Sequence, residues 1–228
     1  MSMQIIKVFI LTTIAFYSCK RISSKEIETA QEITTNVNHT EKENEFKEGD
    51  LIFQITENGQ SHAIQFLTKS KYSHVGIIIR KENKLFVFEA SNKVRFTPIK
   101  KFITSGVNSH FAVKRLKNAN QILTKEALIK MKKIGEKYYN KNYDLCFEWT
   151  DEYIYCSELV WKIYKEGVNI ELGNPIPLKN YDLSYGPAQK IIKKRMARNG
   201  CAFSMDELVI SPSDMFHSKL LKTIVINQ

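Results

Sequence analysis

The stretch Tyr72-Ser-His-Val-Gly-Ile-Ile-Ile-Arg-Lys-Glu-Asn-Lys-Leu-Phe-Val-Phe-Glu-Ala90 decides the fold. Two β-rich runs, Val75 to Arg80 and Leu85 to Ala90, flank Lys81-Glu-Asn-Lys84, and Glu82 and Asn83 stand where a two-residue hairpin turn places its central residues. With that turn His74 opposes Ser91, Gly76 opposes Glu89 and Ile78 opposes Val87. Side chains alternate along a strand, so Val75, Ile77, Ile79, Phe86, Phe88 and Ala90 share one apolar face while His74 and Glu89 share the other. His74 and Glu89 are then diagonal neighbours about 7 to 8 Å apart at the backbone, a gap their side chains can close. Gly76, directly across from Glu89, removes a side chain that would crowd the imidazole and the carboxylate. A three-residue turn would send His74 and Glu89 to opposite faces, so everything here depends on register.

Outward from the hairpin, Asp50 to Ile55 reads as a first strand, and Ser61 to Thr68 as a short helical or irregular passage after the turn Glu57-Asn-Gly59. His110 to Leu116 is a further strand. Thr124 stands where it caps a helix with Ala127, Leu128, Met131, Ile134 and Tyr138 at helical spacing. A connection rich in Asn and Tyr leads to Cys156–Glu166, where Leu159, Val160, Ile163 and Tyr164 form one stripe and Gly167 reads as the stop. Pro187 starts a basic helix, and Glu207 to Ile210 and Leu220 to Ile226 read as late strands. The class is α+β.

Cys156 falls in the first turn of its helix, where free N–H groups and the macrodipole favour a thiolate, the form in which a thiol is a nucleophile. An imidazole stabilises such a thiolate and hands its proton to a leaving group, and a carboxylate fixes the imidazole's tautomer. His74 and Glu89 supply those parts, against the plainer reading of Cys156 as a small buried hydrophobe and His74 as a satisfied strand histidine. Cys146 and Cys201 open no convincing helix and read as structural, while His62, His110 and His217 read as surface or capping residues.

Composition narrows the rest. The 228 residues are 43% hydrophobic and 11% aromatic with few Gly and Pro, which excludes a disordered or fibrous chain. The surplus of basic residues, 34 against 24 acidic for a net +10, is densest at Lys190, Lys193, Lys194, Arg195 and Arg198 and resembles the wet face of a helix. No zinc finger, helix-turn-helix or aromatic-basic strand accompanies the charge, so no nucleic-acid partner is expected. After Cys19, an odd count of cysteines remains, Cys146, Cys156 and Cys201, with no CxxC pair. Neither a disulfide framework nor a thiolate metal site is written, at least one thiol is expected free, and no metal or cofactor is expected.

Residues 1–19 carry Lys7 and then an apolar run from Val8 to Tyr17, too short to span a bilayer but suited to a signal peptide. The ending Ser18-Cys19 resembles a bacterial lipoprotein processing site, which implies lipidation at Cys19; Phe16 and Tyr17 depart from the usual pattern there. Residues 20–45 are polar and lack apolar periodicity, as a tether would, and residues 46–228 form the folded domain. The expected address is the bacterial cell envelope, on the membrane through the lipid.

In this order, Glu48-Gly-Asp-Leu-Ile-Phe53, Tyr72-Ser-His-Val-Gly76, Val87-Phe-Glu-Ala90 and Tyr155-Cys-Ser-Glu-Leu-Val160 resemble the YiiX/YebB-like family of permuted NlpC-type papain-like cysteine hydrolases. Val94-Arg-Phe-Thr-Pro98, Val113-Lys-Arg-Leu116 and Val209-Ile-Ser-Pro-Ser-Asp-Met215 extend the likeness over nearly everything from Phe46 onward. The resemblance implies a permuted papain-like fold, an antiparallel sheet or barrel packed against the nucleophile helix, with His before Cys in the chain. It matches Cys156 to the nucleophile, His74 to the base and Glu89 to the orienting acid, and gives Tyr155 and Ser73 places that shape the site. It implies amide hydrolysis through a thioester without a metal, in a cell-wall peptide or related isopeptide. A lipid-directed thioesterase or acyltransferase, and a peptide- or amino-acid-binding module without turnover, remain open alternatives.

Overall fold

The computed structural model describes residues 45–57, 59–183 and 204–227, with Gly186, Gln189, Lys190, Lys193, Lys194, Ala197 and Gly200 between the last two. The expected signal segment, Cys19 and most of the tether lie outside the described residues, as do Pro187 and Cys201.

The central hairpin is β2 (His74–Lys81) and β3 (Lys84–Ala90). Its register pairs Ile77 with Phe88, Ile78 with Val87 and Lys81 with Lys84, as a two-residue turn requires. Glu82 and Asn83 both have positive φ, 48° and 61°, the signature of a type I′ turn whose twist matches the strands it joins. Around this hairpin an antiparallel six-stranded sheet runs in the order β4-β3-β2-β1-β5-β8, with β1 at Leu51–Gln54, β4 at Val94–Pro98, β5 at Phe111–Leu116 and β8 at Leu221–Ile226. A separate two-stranded ribbon joins β6 (Ile176–Pro177) to β7 (Leu208–Val209).

Both faces of the sheet are covered, which is why β1 and most of β2 are buried on every residue rather than on alternate ones. Val75, Ile77, Ile79, Phe88 and Ala90 pack against helical residues Met131, Ile134, Leu159, Val160 and Ile163. On the opposite face Ile52, Ile78, Val87, Phe111 and Val113 pack with Ile99, Phe102 and Ile103.

Among the described residues, the helices whose bounds are described are, in chain order, α1 (Gly59–Thr68), α2 (Ile99–Thr104), α3 (Ala119–Ile122), α4 (Lys125–Glu136), α5 (Cys156–Val168) and α6 (Pro212–Phe216). Thr124 caps α4, its hydroxyl accepting from the Ala127 N–H at 3.2 Å. Helix α5 runs two residues further than the sequence reading, to Val168 instead of Glu166, because Asn169, in the left-handed region at φ 55°, is its C-cap. Gly167 lies inside the helix instead of ending it: a Cβ there would stand 2.5 Å from Met131 Cγ, so the missing side chain lets α5 and α4 approach closely. Strand β4 and helix α6, with its Ser211 capping box, are each five residues long and went unread in the sequence.

Candidate active site

Cys156 is the first residue of α5, and Glu158 reaches back to the Tyr155 N–H at 3.4 Å, fixing the entry of the helix. The helix lies on the face of the sheet that carries Val75 and Ile77, whereas His74 belongs to the other face, where its ring stacks on Phe102 at 5.6 Å and 26°. They meet because His74 is the first residue of β2, so the two faces come together at the strand's end. The imidazole hydrogen-bonds to Cys156, which also receives hydrogen bonds from the Val75 backbone and the Tyr143 side chain.

The second ring nitrogen is occupied. His74 Nε2 lies 2.5 Å from Glu89 Oε2, leaving Nδ1 for the sulfur. Glu89, 3% exposed, accepts from Thr97 Oγ1 at 2.5 Å and from Arg95 Nε at 3.3 Å through its other oxygen. Strand β4 supplies both donors, since Glu89 pairs with Arg95 and Val87 with Thr97.

Burial disfavours every charge here, and the pairing outweighs it. Burial pushes the Cys156 thiol up, but the neighbouring imidazolium and its hydrogen bond bring it below the ordinary thiol value. Burial pulls His74 down, but the thiolate and the Glu89 carboxylate raise it to about 10. Glu89, pushed up by burial, is brought to about 2 by His74, Thr97 and Arg95. The pairing favours thiolate and imidazolium over the neutral pair.

The remaining expected residues have structural positions. Tyr155, 2% exposed, accepts the Ile210 N–H on its hydroxyl at 3.1 Å, while Ser157 donates to the Ile210 carbonyl at 2.7 Å. Together they clamp the segment after β7 onto the start of α5. Ser73 accepts the Thr56 N–H at 2.9 Å and bonds the Thr56 hydroxyl at 2.9 Å, which ties the loop after β1 to the strand bearing His74. At Gly76 a Cβ would meet Val87 Cγ1 at 2.4 Å, the Phe88 carbonyl at 3.0 Å and Glu89 Cβ at 3.3 Å, so sheet pairing more than the imidazole requires the glycine. His62 and His217 are exposed and His110 stacks on Tyr72 at 5.8 Å, and none of the three lines the cleft that holds Cys156.

One expectation fails. Cys146 is disulfide-bonded, although the cysteine spacing wrote no such framework; Cys156 is the free thiol among the described residues. Sequence spacing does not fix which cysteines a fold brings within bonding distance.

Two clefts adjoin the Cys156–His74 pair, one on the side of each residue. One is almost wholly apolar and is lined by Cys156, Tyr155, Ile64, Phe147, Val209 and Ile210. The other is largely polar and is lined by His74, Glu89, Ser73, Asn92, Arg95 and Asn142. Tyr143 and Ile64 line both. Sequence reading missed Tyr143, which sits in an irregular connection, and Arg95 and Thr97, whose alternation in Val94-Arg-Phe-Thr-Pro98 carries the signal that they share a face with Glu89.

The family model for permuted papain-like amidases of the YaeF/YiiX group, the C92 family, matches residues 45–225. This chain belongs to that family. Among curated proteins it is 36% identical over 176 residues to YiiX, an uncharacterized protein of Escherichia coli K12, covering 77% of this chain and 84% of the relative. A crystal structure of the metalloprotein YiiX from Escherichia coli O157:H7 superposes with a TM-score of 0.74 at 36% identity, covering 79% of this chain and 97% of that one.

As a permuted papain-like amidase, the chain is a cysteine hydrolase of the amidase and peptidase kind. The description as a metalloprotein is of that relative; among the described residues here no group of three or more His, Cys, Asp or Glu side chains is placed to hold an ion. Among the described residues, no helix is long and apolar enough to cross a membrane.

Proposed function

We propose that this amidase cleaves an amide bond in a cell-wall peptide or related isopeptide, with Cys156 as nucleophile, His74 as acid and base, and Glu89 as orienting acid. The observation that carries the reading is the chain of bonds from Cys156 through His74 to Glu89, with 2.5 Å between the last two. The sulfur attacks the carbonyl carbon, forming a C–S bond and placing the electron pair on oxygen, where the Cys156 N–H at the helix start can receive it. Collapse breaks the C–N bond, and the amine leaves with the proton of the His74 imidazolium. A water then gives its proton to His74 and its oxygen to the thioester carbon, and the C–S bond breaks to restore the thiolate. Incubation with muropeptides and short isopeptides is expected to release new amines, and Cys156→Ala to abolish the release. Intact substrates across a broad panel, or release that survives in Cys156→Ala, would overturn the assignment.

The apolar wall beside Cys156 favours a second reading, in which the acyl half comes from a lipid and the enzyme is a thioesterase or acyltransferase. Acylation of Cys156 by a lipid donor, seen by intact mass, distinguishes the two. The envelope address and the lipid on Cys19 belong to this proposal as well; the amphipathic division of the clefts suits a substrate presented at a membrane surface.

A further inference from the structure

We infer that the polar cleft receives the leaving-group half of the substrate and that Arg95 binds a free carboxylate on it, so the preferred substrate is an amide whose amine half is an amino acid or peptide with an exposed carboxylate. This rests on the roles proposed for Cys156 and His74. In that chemistry the amine departs with a proton from His74, so it must lie beside the imidazole. The polar cleft contains His74 and not Cys156, and the apolar cleft contains Cys156 and not His74. The acyl half therefore lies along the apolar wall and the amine half in the polar cleft.

Arg95 is placed to meet a substrate there. Its Nε makes one contact with Glu89 at 3.3 Å, the longest of the three that Glu89 receives. Its side chain is 48% exposed, and among the described residues its two terminal nitrogens have no partner. Arg115 shows what an arginine committed to structure looks like in the same molecule. It holds Asp50 through two nitrogens at 2.6 and 2.7 Å, and its side chain is only 12% exposed. A guanidinium with its terminal N–H groups turned toward a cleft is suited to a carboxylate, which accepts two parallel hydrogen bonds from that fork. The exposed amides of Asn92 and Asn142 line the same cleft and add neutral donors. Glu57, exposed on the cleft as well, opposes a carboxylate, so the expected preference is a net effect.

The test uses two peptides that differ in one group, N-acetyl-leucyl-glycine and N-acetyl-leucyl-glycinamide, whose leucine suits the apolar wall. Binding to the Cys156→Ala protein, measured by calorimetry, reads recognition without turnover. The carboxylate is expected to bind at least roughly tenfold more tightly than the carboxamide at low salt, with the preference shrinking as salt is added. Adding Arg95→Gln should bring the ratio to about one, and Arg95→Lys should restore part of it, while both proteins keep the denaturation midpoint of their parent. Equal affinities, an Arg95→Gln protein that weakens both peptides alike, or no binding of either peptide would overturn the inference. Turnover by the unmutated protein is read separately: discriminating binding without cleavage would leave Arg95 its role and count against the hydrolase chemistry.

Discussion

At the residue scale, Glu89 and Tyr143 define what surrounds the Cys156–His74 pair. Glu89 has a carboxyl held at about 2 against an ordinary 4.5, so its pairing contributes stability that is full above pH 4.5 and is lost as pH falls toward 2. Glu89→Gln is therefore expected to lower the denaturation midpoint at neutral pH, with the gap to the unmutated protein closing as pH falls through that window. The same substitution leaves the imidazole without its orienting anion and should slow amide hydrolysis by about a hundredfold or more, read as kcat on whichever substrate the panel yields. Tyr143 hydrogen-bonds the sulfur directly. Tyr143→Phe should slow alkylation of Cys156 in mild acid by roughly three- to tenfold, since a donor to the thiolate is gone. Unchanged alkylation would show that the hydroxyl does not stabilise the anion.

At the scale of elements, the hairpin was legible because its turn and its two faces constrain each other. A two-residue turn puts His74 and Glu89 on one face where a three-residue turn would separate them, and the type I′ geometry at Glu82 and Asn83 supplies it. Glu82 carries a side chain at positive φ, a conformation a glycine adopts at lower cost, so Glu82→Gly should raise stability by about 0.5 to 1 kcal/mol in urea unfolding. Gly76→Ala should do the reverse by about 1 to 3 kcal/mol, because the new methyl meets the Phe88 backbone carbonyl as well as Val87. Helix α5 was legible from its apolar stripe, but its end was not. Gly167 looks like a terminator in sequence, and only the packing of Met131 against it shows that it is a close-approach residue. The disulfide at Cys146 and the partners of Tyr143 depend on where a connection without periodicity folds, and such connections carry no local signal.

Across the whole molecule, the site forms where the end of a doubly covered sheet meets the start of one helix, and the clefts on either side of that junction differ in polarity. The order of motifs made the permuted fold legible, because His74, Glu89 and Cys156 appear in the sequence in the order the permutation implies. The division of the clefts was not legible, since Ile64, Phe147, Val209 and Ile210 come from segments far apart in the chain. The N-terminal reading is tested on the full chain: with its own leader, the protein is expected in the membrane fraction after cell lysis, and Cys19→Ala should move it to the soluble fraction. Equal partitioning of both would show that no lipid on Cys19 anchors the protein.

If Cys156 is held as a thiolate by its pairing with His74, alkylation reports the pairing. Iodoacetamide at about pH 6, followed by peptide mass mapping, is predicted to modify Cys156 selectively, and His74→Ala to slow that modification by roughly a hundredfold, since an ordinary thiol titrates near 8.5. A Cys156 that stays unmodified until the pH approaches 8.5, or that reacts equally fast in His74→Ala, would contradict it.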